Sequence, residues 1–398
     1  MPTYRPVSDD RIDEFRAIQQ YAFSLAEPTE PVESVDELPR RATLGARRGL
    51  FDGGELLCTG THHWFTTTVR GGEHPLAGLA GVATPPENRR QGLIARLLSE
   101  SLAEYRERGQ YLSALWPFEY AFYRQYGWTQ AGTTAIYECD PEALAFAAET
   151  ERDGEFRRLD ADDFETMDPV LAAAGEGVSL WMRRSEEWWR DRVFTGREND
   201  PYVYGVERDG DLRGYVVYHV DADDGRTMRV KECNAIDNAA FLDLLRFLFY
   251  HDSQVERVRI RGRADWPLAD LADDPRAIDC ELVPDGMVRI VDVERALAAL
   301  DYPTAAEGRV VLSVEDPTAA WNDDTFALAV RNGEATCTPV DESPDARIAI
   351  TTLSQLFVGH FSVEHARMAG DLTVESGEVA ARLAAMFPQR EVILSEDF

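Results

Sequence analysis

The sequence has almost no lysine and a large excess of acidic residues. Lys231 is its only lysine among 41 basic residues, and 72 acidic residues leave a formal net charge of −31. Such a surface repels nucleic-acid phosphates and anionic membranes, so no partner of either kind is expected. Because the acidic residues are spread evenly, adaptation to a high-salt cytoplasm explains the charge better than a substrate-attracting field. In molar salt the Debye length falls to about 3 Å.

Cysteine pairs and long apolar runs are also lacking. The five cysteines are scattered without a Cys-x-x-Cys pair, which argues against a disulfide framework and a zinc ribbon. We therefore expect reduced thiols, a cytoplasmic location and no metal. No apolar run is long enough to span a membrane, and the first ten residues do not resemble a signal peptide. The length of 398 residues predicts two to three domains.

The most informative segment that is present runs from Leu76 to Arg108. Its apolar start, Leu76 to Thr84, predicts a buried strand, which Pro85 and Pro86 end. From Leu93 onward, apolar residues recur at helical spacing. Residues 89–92, Arg-Arg-Gln-Gly, therefore form a polar loop at a helix N-terminus, where backbone N–H groups and the helix dipole attract anions. These residues alone fit phosphate binding and an ordinary strand–helix connection about equally well.

Residues 82–94 resemble the acetyl-coenzyme A motif of the GNAT acetyltransferases, (Arg/Gln)-x-x-Gly-x-(Gly/Ala). Arg89 and Gly92 match this motif, and Ile94 departs from its final small residue. Together with the chain ends, the pattern is similar to the Eis (enhanced intracellular survival) branch of that family. The resemblance implies acetyl-coenzyme A as co-substrate, held by Val82, Ala83, Thr84, Arg90, Gln91, Gly92, Leu93, Ile94, Ala95, Phe118 and Glu119.

Phe122 to Trp128 resembles the family segment that carries the general acid. The resemblance implies that Tyr123 gives a proton to the coenzyme A thiolate. A tyrosine hydroxyl at the end of a stiff ring suits this role. Without the resemblance, a packing role in the core is favoured for Tyr123. Tyr126 is the alternative functional hydroxyl.

The sequence ends Ser395-Glu396-Asp397-Phe398. A chain end is usually frayed, yet an α-carboxylate with a pKa of about 3.5 can accept a proton at neutral pH. The Eis resemblance implies that Phe398 inserts into the first domain and that its carboxylate is the catalytic base. Burial of its ring contributes about 1.5–3 kcal/mol to this anchoring. Asp397 and Glu27 are then candidates for attracting a cationic acceptor.

The predicted elements indicate a mixed α/β chain of three domains. Residues 1–145 form a GNAT domain with the acetyl-coenzyme A site, residues 146–285 a degenerate GNAT-like domain, and residues 286–398 a sterol-carrier-like domain that delivers the C-terminus. In the second domain, Glu232 to Asp237 takes the place of the phosphate loop without an arginine pair or a glycine. Its acidic residues would repel phosphate, so no cofactor is expected there.

Four local predictions concern individual elements. Asp9 to Ala26 has the spacing of an amphipathic helix with Phe23 on its apolar side. Gly132 to Cys139 is expected to be the last strand of the first domain, and Arg289 to Leu300 a helix that opens the third. His62 and His63 are neighbours on a predicted strand, so they point to opposite faces and cannot chelate one metal side by side.

The resemblance implies an acetyltransferase that acts on primary amines of small polycationic acceptors, aminoglycoside-like compounds or polyamines, by direct attack on the thioester. It also implies a homo-hexamer. One alternative is an acetyltransferase of protein lysines or N-termini. Another is a non-catalytic protein that binds lipid or another small molecule, against which Arg89, Arg90 and Gly92 count.

Overall fold

The computed structural model describes residues 2–24, 26, 31–32, 34–151, 154–196, 199–222, 225–369 and 371–398. Its strands, in chain order, are β1 Thr3–Pro6, β2 Ala46–Asp52, β3 Glu55–Val69, β4 Gly72–Ala83, β5 Leu112–Leu115, β6 Thr129–Gln130, β7 Thr133–Cys139, β8 Glu155–Arg158, β9 Val178–Ser179, β10 Trp181–Arg183, β11 Tyr202–Arg208, β12 Asp211–Asp221, β13 Thr227–Ala235, β14 Arg257–Gly262, β15 Ile278–Pro284, β16 Met287–Ile290, β17 Gly308–Glu315, β18 Thr325–Arg331, β19 Glu334–Pro339, β20 Ala346–Ala349, β21 Leu372–Val374 and β22 Glu391–Val392.

The α-helices of the described residues follow the same order. They are α1 Ile12–Phe23, α2 Arg40–Thr43, α3 Leu93–Glu107, α4 Tyr120–Arg124, α5 Phe146–Glu149, α6 Phe164–Ala174, α7 Glu186–Trp188, α8 Asn238–Phe249, α9 Leu268–Leu271, α10 Val293–Ala299, α11 Ile350–Val358, α12 Val363–Ala369 and α13 Gly377–Met386. None of these helices is both long and apolar enough to cross a bilayer.

The chain divides into two compact units, and the segments of one unit alternate with those of the other along the sequence. One unit contains Met1–Gly132, Gly177–Arg183 and Asp285–Phe398, and the other contains Thr133–Glu176 and Arg184–Pro284. The three-domain division after residues 145 and 285 stays a prediction of chain order.

The first unit is built on a sheet of order β1-β2-β3-β4-β5-β16-β6, with β10 paired to β3. Its strands β4 and β5 are parallel, from the pair Leu76↔Leu112 to the pair Leu79↔Leu115. The predicted strand, loop and helix between Leu76 and Arg108 are confirmed, because β4 leads through a short 3₁₀ turn at Pro86–Asn88 into α3. The apolar side chains of α3 are buried against the sheet.

Two of the predicted elements belong elsewhere. The strand predicted to close the first domain, β7, pairs with β14 and β15 in the second unit. Residues at the start of the predicted helix from Arg289 form strand β16, which lies between β5 and β6. The sheet predicted for β7 and the predicted start of the helix were wrong, because short apolar strands carry no information about which sheet they join. The predicted helix itself is present as α10, Val293–Ala299. Phe23 is also 60% exposed at the end of α1, so it does not join the apolar face predicted for that helix.

The second unit repeats the connectivity of the first in a sheet of order β15-β7-β14-β13-β12-β11-β8. Strand β13 leads into α8 and pairs in parallel with β14, as β4 leads into α3 and pairs with β5. The GNAT-like connectivity is therefore present twice in the chain. Glu232 to Ala235 are strand residues of β13, so only Ile236 and Asp237 connect the strand to the helix.

The C-terminal part of the first unit forms a sheet of order β19-β18-β17-β20-β21. Its helix α11 is buried along its whole length, and it packs against β16 of the first sheet. Apolar residues of both sheets and of α11, including Val288, Leu312 and Phe357, share one buried core. After this lobe, β22 pairs in parallel with β9, through Glu391↔Val178, and carries the chain toward its last residue.

Candidate functional site

A β-bulge interrupts strand β4 just before the polar loop. Thr59 pairs with Ala83 while Thr61 pairs with Ala80, so Gly60 alone faces Gly81 and Val82. Gly81 has φ +58°, in the left-handed region. A Cβ atom on Gly81 would lie 2.2 Å from Nε2 of Gln19. The backbone conformation therefore favours glycine at this bulge, and a side chain there would displace the Gln19 amide.

Beyond the bulge, β4 continues without its parallel neighbour. The pairing of β4 with β5 ends at Leu79↔Leu115, and β5 ends there, whereas β4 runs on to Ala83. The edge of β4 that contains Val82 and Ala83 is consequently not covered by β5. A strand edge of this kind can pair with an extended ligand through main-chain hydrogen bonds.

The loop that follows presents its backbone to one side. Arg90 has φ +60° and Gly92 has φ +76°, with Gln91 between them. Left-handed residues next to right-handed ones curl the chain into a nest of N–H groups that binds anions. Gly92 is the N-cap of α3, and no side chain of the described residues caps this end. Apart from the chain neighbours of Gly92, no atom of the described residues lies within 4 Å of the position that a Cβ on Gly92 would take. The loop and the helix N-terminus thus have the geometry of a pyrophosphate site.

Side chains within the loop hold its shape. Nε of Arg89 donates to the carbonyl of Thr84 (3.1 Å), and Nε2 of Gln91 donates to the carbonyl of Glu87 (3.1 Å). Ile94 is half-buried and packs against the core beneath α3. Its departure from the small residue of the motif is therefore compatible with the loop, because the side chain points into the core rather than toward a ligand.

Tyr123 lies on α4 in an aromatic cluster. Its side chain is buried, and its ring centroid lies 5.1 Å from that of Phe122 and 5.7 Å from that of Phe118. Burial raises the pKa of Tyr123, so the hydroxyl stays protonated at neutral pH. Phe118 itself is 70% exposed, and Glu119 caps the start of α4 through the N–H of Ala121. Tyr126 is half-buried beyond the end of the helix.

A series of hydrogen bonds fixes the last residues of the chain. The N–H of Leu394 donates to Oδ2 of Asp285 (2.7 Å), and the N–H of Met182 donates to Oγ of Ser395 (2.8 Å). Nε1 of Trp116 donates to the carbonyl of Glu396 (2.8 Å). The tail is therefore ordered and bonded on several sides, unlike a frayed terminus.

These bonds place Phe398 against β4, the strand that leads into the polar loop. Its ring centroid lies 5.1 Å from that of Phe65 and 5.8 Å from that of His63. A Cβ on Gly78 of β4 would lie 2.8 Å from the Phe398 ring, so the glycine leaves room for it. His62 points the other way and contacts Oγ of Ser101 on α3 (3.1 Å), as predicted for neighbours on a strand.

Helix α4 and the C-terminal tail both form hydrogen bonds with Asp285, a residue that sequence reasoning missed. The hydroxyl of Tyr120 on α4 donates to the carbonyl of Asp285 (2.6 Å), while the Asp285 carboxylate accepts from the tail at Leu394. His63 and Trp116 were missed as well. The one sequence signal was Gly78, because a glycine inside an apolar strand often marks a close approach.

Of the two residues predicted to attract the acceptor, the structure describes Asp397 but not Glu27. Asp397 is half-buried between Glu396 and Phe398. Glu27 lies outside the described residues.

Comparisons with protein families match three consecutive parts of the chain. Residues 3–131 and residues 180–290 each match an acetyltransferase (GNAT) domain, and residues 293–395 match a sterol carrier protein domain. The predicted fold class, two GNAT domains followed by a sterol-carrier-like domain, is therefore confirmed.

The alignments with individual relatives cover most of the chain. An uncharacterized N-acetyltransferase of Streptomyces griseus is 30% identical over 372 residues, covering 87% of each chain. The N-acetyltransferase Eis of Mycobacterium tuberculosis is 28% identical over 330 residues, covering 79% of this chain and 78% of its own. A probable N-acyltransferase structure from Enterococcus faecalis superposes with a TM-score of 0.88 at 25% identity, covering 100% of both chains. The chain accordingly belongs to the Eis-like GNAT N-acetyltransferases, with two GNAT domains followed by a sterol-carrier-like domain.

Proposed function

We propose that this acetyltransferase transfers the acetyl group of acetyl-coenzyme A to a primary amine of a small polycationic acceptor, an aminoglycoside-like compound or a polyamine. One observation carries the proposal: the first unit holds both the anion-binding loop after β4 and, against the same strand, the last residue of the chain. A protein that only carried lipid would need neither feature.

The co-substrate binds along β4, the loop and the start of α3. Val82, Ala83 and Thr84 lie along the uncovered strand edge, where they can pair with an extended pantetheine arm. Arg90 to Ala95 surround the pyrophosphate with the backbone nest and the helix N-terminus, and the exposed Arg90 side chain adds positive charge. Phe118 and Glu119 flank the thioester end.

We assign the proton transfers to the α-carboxylate at Phe398 and to the hydroxyl of Tyr123 on α4. The α-carboxylate at Phe398 accepts a proton from the acceptor ammonium, which frees the nitrogen lone pair for attack on the thioester carbon. The C–N bond forms, the C–S bond breaks, and the departing coenzyme A thiolate takes the proton of Tyr123. The nitrogen releases its remaining excess proton to solvent, and solvent returns a proton to Tyr123, so that a neutral amide and a free thiol leave. A tyrosine hydroxyl is protonated at neutral pH, so Tyr123 carries this proton when the thiolate develops. Tyr126 is the second choice for this role.

Acceptor choice rests on negative charge beside the reacting centre. Asp397 adjoins Phe398, and a carboxylate there attracts an acceptor with several ammonium groups. Glu27 is proposed for the same role from the family resemblance alone. A homo-hexamer, a cytoplasmic location and adaptation to high salt complete the proposal, and light scattering in molar KCl tests the assembly state.

The decisive experiment separates the Phe398 ring from the α-carboxylate. Coenzyme A release is measured in molar KCl with aminoglycosides, polyamines and lysine peptides as acceptors. A one-glycine extension after Phe398 keeps the ring and moves the carboxylate, whereas Phe398→Leu keeps the carboxylate and changes the ring. We expect the extension to lower kcat by about 100-fold or more, as for loss of a general base, with acetyl-coenzyme A affinity unchanged.

Other outcomes redirect the proposal. Equal turnover by the extended and original chains places the base elsewhere. Turnover with peptides but not with small polyamines selects the protein acetyltransferase instead.

A further inference from the structure

We propose that Gln19 and Thr59 are positioning residues that orient the backbone N–H of Val82 toward the thioester oxygen by clamping the carbonyl of Gly81. The inference rests on the proposed function, since it concerns how the same site stabilises the oxyanion of the tetrahedral intermediate. It adds two residues to which neither motif nor domain resemblance gives a role.

Two donors from different elements converge on one carbonyl oxygen. Nε2 of Gln19, on α1, donates to the carbonyl of Gly81 (3.1 Å). Oγ1 of Thr59, on β3, donates to the same oxygen (3.1 Å). Thr59 is fully buried, so water does not compete for its hydroxyl. A bulge carbonyl that has left the regular ladder needs a partner, and this one has two.

The clamp acts on Val82 because a peptide unit is rigid. Its C=O and N–H groups lie in one plane and point in opposite directions when the bond is trans, and the described residues contain no cis bond. The Gly81 carbonyl points to Thr59 on β3. The N–H of Val82 therefore points away from β3, to the side where β5 has already ended at Leu115.

Because residue 81 is a glycine, its peptide can adopt the bulge conformation but needs the clamp to stay in it. Gly81 adopts φ +58°, which other residues avoid, but a glycine peptide is also the easiest to rotate. An oxyanion donor contributes most when it is held in place before the charge develops. Two hydrogen bonds to the carbonyl restrict the rotation, and they polarise the peptide so that its N–H becomes a stronger donor.

The second unit has a bulge without this arrangement. Its β13 is bulged at Lys231, between the pairs Val217↔Glu232 and Tyr218↔Val230. A lysine rather than a glycine occupies the extra position. The glycine bulge with its two clamping donors therefore accompanies the domain that has the phosphate loop.

The test removes each donor with little change of shape and keeps a matched control on the same helix. The variants are Gln19→Met, Thr59→Val and their combination. Gln20→Met is the control, because Gln20 is also half-buried on α1 and its Nε2 donates to a backbone carbonyl, that of Ser24 (3.3 Å). For each protein, kcat, KM for both substrates, the affinity for acetyl-coenzyme A and the thermal midpoint are measured.

We expect each single variant to lower kcat by about tenfold and the combination by about 100-fold, approaching the loss of one oxyanion donor. Acetyl-coenzyme A affinity and the pH profile should stay unchanged, and Gln20→Met should remain within about twofold of the original protein in every value. A purely structural role would instead lower the thermal midpoint without selective loss of kcat.

A second readout does not depend on turnover. In protein labelled with ¹⁵N-valine, the Val82 amide resonance should shift when a non-transferable ketone analogue of acetyl-coenzyme A binds, and the shift should be much smaller in the double variant. Unchanged kcat or an unchanged Val82 shift in the double variant overturns the clamp. If the original protein acetylates none of the amines, the proposed function fails, while the Val82 shift still decides the clamp.

Discussion

The two GNAT domains share a strand order and differ at one connection, which runs from β4 to α3 in the first unit and from β13 to α8 in the second. In the first unit, residues 84–92 separate β4 from α3 and form the nest. In the second, only Ile236 and Asp237 separate β13 from α8. The Asp237 carboxylate accepts from the N–H of Ala240 (2.8 Å), and Arg208 and Arg213 donate to its other oxygen. The anion site at this helix start is thus filled by the chain's own carboxylate.

What the domains share is a buried ionic support. In the first, Glu104 accepts from Tyr4 (2.6 Å) and from Nε of Arg48 (2.8 Å). In the second, Glu232 accepts from Arg184 (2.9 Å) and from Tyr215 (3.2 Å). The comparison teaches that one fold supports both a long loop before a helix start without a side-chain cap and a short connection before a capped helix, and that the connection decides which of them forms.

The largest effect is expected when the first helix start is given the cap of the second. Gly92→Asp places a carboxylate where the pyrophosphate is proposed to bind, so acetyl-coenzyme A affinity should fall by about 100-fold or more, from charge repulsion and loss of the helix end. Calorimetric titration measures this. Gly53→Asp is the control, because Gly53 also has positive φ (+56°) and open space around it, in the β2–β3 turn. Equal losses in both variants would contradict the assignment.

A smaller effect should appear equally in both domains when their buried carboxylates are neutralised. Burial opposes ionisation of Glu104, but its contact with His62 and the hydrogen bonds from Arg48 and Tyr4 outweigh burial and lower its pKa. Burial likewise opposes ionisation of Glu232, but Arg184 outweighs it and lowers that pKa. Each carboxylate therefore contributes stability above the unfolded pKa of about 4.3, and this is lost as pH falls through the folded value.

Glu104→Gln and Glu232→Gln should each lower the free energy of unfolding by about 3 kcal/mol at pH 7, because a buried arginine loses its partner. Their stability should also fall less steeply below pH 5 than that of the original protein. Urea titrations between pH 2 and 7 measure both quantities. A variant with an unchanged acid slope would show that its carboxylate does not drive the acid loss.

The smallest effect is expected at the second helix start. Asp237→Ala removes the N-cap of α8 and should cost about 1 kcal/mol of stability, with kcat and acetyl-coenzyme A affinity unchanged. Asp237→Asn, which keeps a cap acceptor, should lose less. Any change in acetyl-coenzyme A affinity would mean that the second domain takes part in cofactor binding, against the comparison.

Local features of the site were predictable, because they depend on neighbouring residues. The change from a strand pattern to a helical one located β4, the loop and α3. Features made by distant residues were not. Nothing near Gln19 signals a bond to Gly81, and nothing near Asp285 signals its bonds to α4 and the tail. Such contacts depend on the completed tertiary structure.

The placement of β16 has a consequence for the timing of synthesis. The first sheet is complete only when Met287–Ile290 has entered beside β5, whose last residue is Leu115. At about 5–20 residues per second, a ribosome needs roughly ten to thirty seconds to travel between these two points. During that interval the nascent first domain carries an open, apolar strand edge, which is a template for aggregation until its distant partner emerges.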